Sequence, residues 1–497
     1  METLRQWLAP SDPNASSQDE STTREAPYLV SGSWGLSLFS HIRSILWTDA
    51  LVQRGYEQHR DDMFKMPFLG SWATVVSGKY VEEIARAPDS YLSFQEIAND
   101  QLQLEHLVGP ELSRDHIHLA LIRTLNRNLK GVYDEIADET EYSISSALKK
   151  GKDENDWTSV NVNQWVGDVV FGLNQRIFVG LPLCRDEEWA KAGQSEDTAM
   201  VLRAYLLKIF PKSKRGEVQQ YISRFTSSMS VAREMLTKAI KERMAMTEED
   251  RPNDMLSWTI SRAPGEEPDL KIICGILGLL SLVAQGTTSM SFGHALLYLV
   301  AHPEHASILH EDILQAMDGG DLTYQSLERM HKLDSFLRET QRLSTISNVS
   351  LGRIVMQDFT FSNGVRVPAG EMIQAVATGV HRDPAYYSDP LEFKPWRFYE
   401  LAQAETLSTD RAATKYNMVG TSTTYLTWGL GKHACPGRWY ATMIMKHLMA
   451  YLILHYDLKL PDSANGQRPA DWNLTGACIP NTKANILLRR KEDNTIN

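Results

Sequence analysis

The sequence predicts a mainly α-helical fold with a small β-sheet region, and three observations carry that reading. Apolar residues recur at helical spacing over 113–136, 162–173 and 225–246. No Asp, Glu, Lys or Arg interrupts 272–303, so a long helix is expected there. Strand signals are few and short. Residues 73–76 read ATVV, 359–361 and 365–367 flank Asn363-Gly364 as a hairpin, and 372–380 is an apolar strand.

Taken in order, residues 1–27 are expected to be a disordered tail, with Ser, Pro, Asp and Glu concentrated over 10–27. Residues 28–497 are expected to form one domain, since no flexible linker or repeat divides them. Segment 34–47 is aromatic and amphipathic, which suits a core-packing helix or peripheral contact with a membrane surface. The stretch 272–303 is long enough for a membrane span, but its middle reads Gln285-Gly286-Thr287-Thr288-Ser289. That polarity favours a helix crossing a protein interior, and neither a signal peptide nor a spanning anchor is expected at the N-terminus. A net charge of −11 argues against nucleic acid as a partner. Four cysteines without a CxxC pair argue against a disulfide framework or a Cys-rich zinc site, and fit a reducing compartment.

The most informative segment runs Thr427-Trp428-Gly429-Leu430-Gly431-Lys432-His433-Ala434-Cys435-Pro436-Gly437-Arg438. Glycines before and after Cys435 allow a tight loop and a close approach of backbone to a flat ligand. The next residues read as a helix, so Cys435 is expected at a helix N-terminus, whose positive end favours thiolate over thiol. Thiolate is the ligand that pushes electron density onto haem iron.

Trp428, Gly431, Cys435 and Gly437 closely resemble the cytochrome P-450 signature FxxGxxxCxG, with Trp in place of Phe. Three more segments follow the family pattern in order: Gln285-Gly286-Thr287-Thr288, the ExxR pair Glu339 and Arg342, and Pro395-Trp396-Arg397-Phe398. The resemblance covers about 28–490. It implies the family fold, with a long central helix over the haem and a cysteine loop beneath it. It implies haem b (iron protoporphyrin IX) with Cys435 as axial iron ligand, and Trp428, Gly431 and Gly437 shaping the cofactor loop. Glu339, Arg342 and Arg397 are implied as a structural triad.

Thr287 matches the family's oxygen-side threonine, with Thr288 beside it, and these two are the expected catalytic residues. A Thr inside a helix can bond its own i−4 carbonyl, bend the helix and open a groove, and its hydroxyl can relay protons. Gly286 occupies the position where the family usually places an acid. Gln285, Thr288 or water are the candidates to replace it.

His433 matches a propionate contact, with a loop cap as its alternative; Arg353 matches a second such contact. Arg123, Arg127 and Lys130 share a helix face, read either as solvated surface or as a propionate contact (Arg123) and docking face for an acidic electron donor. Pocket walls are expected at Gly286, Val349, Leu351 and Ile479. The implied activity is insertion of one oxygen atom from O2 into a lipophilic terpenoid, steroid or similar secondary metabolite. The implied partner is an NADPH-dependent reductase, and the implied location is the cytoplasmic face of the endoplasmic reticulum, peripherally attached. A reductase-independent isomerase or dehydratase and a non-catalytic haem sensor are the alternatives.

Overall fold

The computed structural model describes residues 24–30, 47–68, 71–114, 117–148, 157–208, 210–223, 228–262, 269–405 and 415–492. Segment 34–47 lies outside them except for Trp47, which is helical together with 48–58. The expected tail ends before residue 27. Arg24 bridges Val365, Ala26 is buried, and the Lys65 N–H donates to the Pro27 carbonyl.

The chain is helical over most of its described length, around a large apolar core. The helix Leu270–Ala301 is long and apolar enough to cross a membrane by length and composition. It packs against helices Val162–Phe178, Ser228–Met244, Met255–Arg262, His331–Leu343 and Arg438–His455. The expected helix over 113–136 is instead divided into Pro110–Arg114, Ile117–Arg127, a 3-10 turn at Lys130–Val132, and Tyr133–Leu148. One break falls where Asn128 and Gly131 sit together. The Gly131 N–H donates to the Asn128 carbonyl, and a Cβ on Gly131 would lie 2.4 Å from the Asn128 amide oxygen. Both residues are poor helix formers.

The main sheet has five strands in the order Met63–Phe68, Ser71–Val76, Met372–Val376, Val349–Val355, Leu92–Ser93. Ser71–Val76 pairs parallel with Met372–Val376, so the sheet joins early and late parts of the chain. The apolar stretch from 372 stops as a strand at Val376, because the Asn348 carbonyl takes the Ala377 and Thr378 N–H groups and a helical turn, Thr378–His381, follows. The predicted hairpin forms, with Phe359 opposite Val367 and Gly364 at φ +83. A second hairpin, Trp472–Leu474 with Ala477–Ile479, meets the segment leading into Val349–Val355 where Ser347 bridges Ala477.

Candidate active site

Gly429 and Gly431 adopt φ of +75 and +72, left-handed backbone that other residues rarely take. This turns the loop so that the Cys435 N–H donates to the Trp428 carbonyl at 2.7 Å. Gly431 has a second reason to lack a side chain: its Cβ would lie 2.9 Å from the Ala85 carbonyl oxygen. Trp428 is anchored by its own indole N–H, which donates to the Met418 carbonyl at 2.7 Å. Gly437, two residues after the cysteine, caps the helix Arg438–His455. Burial pushes the Cys435 thiol up, while the Gly437 and Arg438 N–H groups and the Arg438 charge pull it down. In the protein alone burial wins, so the helix terminus by itself does not make a thiolate. A coordinated cation would, since metal binding deprotonates a thiol outright.

Glu339, Arg342 and Arg397 are brought together and buried. Arg342 donates two bonds of 2.8 Å to the Glu339 carboxylate, and Arg397 donates to it at 3.1 and 3.2 Å. Both guanidiniums also reach backbone carbonyls: Arg342 those of His381 and Pro390, Arg397 that of Ser388. The connection to the cysteine loop passes through a residue to which the sequence reading assigned no role. His381 accepts the Leu426 N–H at 2.9 Å on Nε2 while its own carbonyl receives Arg342. Its partners are so distant in sequence that no local pattern marks it. Burial, then the charges of Arg342 and Arg382, hold its pKa down at about 3, which keeps the ring neutral and able to accept.

Arg353 is buried, its pKa drawn down to about 10 by desolvation. Its guanidinium donates to the Gly352 carbonyl, stands over the Phe94 ring, and has no carboxylate within ion-pair distance among the described residues. His433 stacks on the same ring, and its Nε2 pairs with Asp89 at 2.7 Å. Lys432 also reaches Asp89. Asp89, unmarked in the sequence, thus ties His433 back to the fold and leaves only the other ring nitrogen for a ligand. Arg123 is exposed on Ile117–Arg127, one turn from Asn126, which donates to the Pro436 carbonyl at 2.8 Å.

On the long helix, Thr287 is exposed and its hydroxyl donates to the Val283 carbonyl at 2.9 Å, the i−4 bond expected of it. The helix nevertheless runs unbroken to Ala301. Thr288 is buried. Gln285 is not free to replace an acid: its amide donates to the Gly167 carbonyl at 2.8 Å and accepts from Asn174 at 3.2 Å. Val349 and Leu351 are buried and pack within apolar clusters. Ile479 is partly buried and Gly286 exposed. An apolar cavity of about 460 Å³, bordered by Phe171, Phe178, Trp189, Met200 and Leu277, contains none of these four.

The donor set suits haem b: a cysteine on a glycine-shaped loop, and a buried guanidinium, Arg353, lacking a carboxylate. Residues 108–488 match the family model described as cytochrome P-450. The chain belongs to the cytochrome P-450 family. It is 33% identical over 466 residues to cytochrome P-450 monooxygenase 71 of Postia placenta, covering 92% of this chain and 91% of that one. Ent-kaurene oxidase of Gibberella intermedia is 25% identical, over 89% of this chain and 83% of its own. The structure of retinoic acid-bound cyanobacterial CYP120A1 superposes with a TM-score of 0.68 at 19% identity, covering 94% and 98% of the two chains, which supports the fold. The protein is a haem-thiolate monooxygenase that binds haem b, and the family implies O2, a redox partner and lipophilic substrates.

Proposed function

We propose that this monooxygenase inserts one oxygen atom from O2 into a terpenoid- or steroid-like molecule, with electrons from an NADPH-dependent reductase. Cys435 would hold the haem iron through its thiolate. The observation that carries this reading is the Trp428–Arg438 loop, whose two left-handed glycines and Cys435–Trp428 bond present a sulfur at the start of a helix. Haem, when bound, supplies the O2 chemistry. Arg353 would hold a propionate, with Arg123 and the other ring nitrogen of His433 as further donors. Glu339, Arg342 and Arg397 hold the loop through His381. Thr287 passes protons by rotating its hydroxyl away from the Val283 carbonyl. Ile479 and Gly286 border the substrate. The ent-kaurene oxidase relative supports a terpenoid-like substrate. Exposed Trp47, Leu202, Tyr221, Trp472 and Leu474 support peripheral attachment to the cytoplasmic face of the endoplasmic reticulum.

The reduced, carbon-monoxide-bound protein is expected to show the thiolate absorbance band, and Cys435→Ser to lose it. A band that survives Cys435→Ser removes Cys435 as the ligand. Substrate-difference spectra across terpenoids and steroids then select a substrate. Gly286, which lacks a carboxyl, favours one second reading, a reductase-independent isomerase or dehydratase. Product formed without NADPH consumption would select it.

A further inference from the structure

A surface cleft of about 470 Å³ lies between the long helix and helices Val162–Phe178 and Glu187–Lys208. Its border includes Gly286, Gln164, Asp168, Gln194, Asp197 and Thr198. A Cβ on Gly286 would meet nothing within 4 Å, so the long helix is open to the cleft at Gly286, one residue before Thr287. Gln285, the adjacent side chain that faces the same cleft, is turned aside by its bonds to Gly167 and Asn174.

Two carboxyl groups border the cleft, and they differ. Asp168 accepts from the Gln164 and Gln194 amides, both at 3.2 Å. Asp197 accepts from the Ser281 hydroxyl at 3.2 Å and has no cation within ion-pair distance among the described residues. Arg203, on the same helix, is taken by Glu196. Asp197 also borders the apolar cavity, whose lining includes the charged groups Glu196, Arg233, Asp269 and Lys271.

We propose that Asp197 is the proton donor for Thr287, acting through water in this cleft and supplying the carboxyl that Gly286 lacks. This rests on the reading of Thr287 as the relay. The Asp197 carboxyl gives a proton to cleft water, that water protonates the Thr287 oxygen, and Thr287 releases its original proton toward the reacting oxygen. The Asp197 carboxylate regains a proton from solvent at the cleft mouth, so no electrons move. Burial, with Glu196 adding to it and Ser281 opposing, raises the Asp197 pKa to about 7, where donor and recharged forms are both populated near neutrality.

Two measurements test it. In the resting protein, infrared spectra are expected to show a protonated-carboxyl stretch titrating near neutral pH, absent from Asp197→Asn. If the stretch is missing from the unmutated protein, or persists in the variant, the proposal falls. With reductase and a substrate chosen by difference spectra, Asp197→Asn is expected to lower product per NADPH by roughly tenfold or more. Hydrogen peroxide release is expected to rise, while peroxide-driven turnover changes less than about twofold. Adding Gly286→Asp to Asp197→Asn is expected to restore coupling, since the site has room for the side chain. If the unmutated protein couples NADPH to product and Asp197→Asn does so equally well, the proposal alone is overturned. If the unmutated protein forms product without NADPH, the monooxygenase reading fails and takes this one with it.

Discussion

On the cysteine side, the loop carrying Cys435 is held by bonds that close on one another. Glu339 binds two arginines, Arg342 binds the His381 carbonyl, and the His381 ring receives the Leu426 N–H. On the helix side, Thr287 has one bond to its own helix and Gly286 has open space at its flank. One region is buried and charged, with Arg342 and Arg397 both paired to Glu339; the other is polar and open to water. A metal ligand gains from the first arrangement, because its geometry must not drift. A proton path needs the second, because hydroxyls must rotate and water must enter.

The contrast breaks most visibly at its charged centre. Glu339→Gln leaves two buried guanidiniums without a carboxylate and is expected to cost about 3–5 kcal/mol. Urea unfolding of the variant should show a lower midpoint. Near-equal midpoints would mean that the carbonyl ring around the arginines suffices.

Acid should distinguish the two regions next. The unfolded chain protonates His381 near 6.5, whereas the folded protein does so only at about 3. This contribution to stability is therefore complete above about pH 6.5 and is lost as pH falls below it, by up to about 1.4 kcal/mol per pH unit. His447, also held neutral at about 3 by burial, adds a similar slope. Urea midpoints at pH 7.5 and 5.5 should differ less in His381→Gln, which keeps an acceptor, than in the unmutated protein.

The smallest stability effect is expected on the helix side. Thr287→Ala removes an exposed hydroxyl and should shift stability by no more than about 0.5 kcal/mol. Its peroxide release per NADPH should nevertheless rise, read with the same reductase assay. A large loss of stability would mean that the Val283 bond braces the helix.

What was legible in the sequence follows the range of the interactions. The cysteine loop was readable because its glycines answer to backbone angles set within a few residues. The Phe359 hairpin was readable through Asn363-Gly364 for the same reason. The triad residues were found by family pattern, since Glu339 and Arg342 alone look like any helical pair. His381 and Asp89 were missed because their partners lie far along the chain. The burial of Val349 and Leu351 follows from their apolar side chains, but an apolar residue on a strand reads alike whether it faces a ligand or its neighbours. Gln285 was offered as an acid's substitute, and only the packing of Val162–Phe178 shows its amide already engaged.

The contact between Gly431 and the Ala85 carbonyl joins positions from opposite ends of the polypeptide. A nascent chain therefore has no finished cradle for its cofactor until nearly all of it has left the ribosome. A truncation that spares the cysteine but removes the helix Tyr80–Arg86 deprives the loop of its backstop.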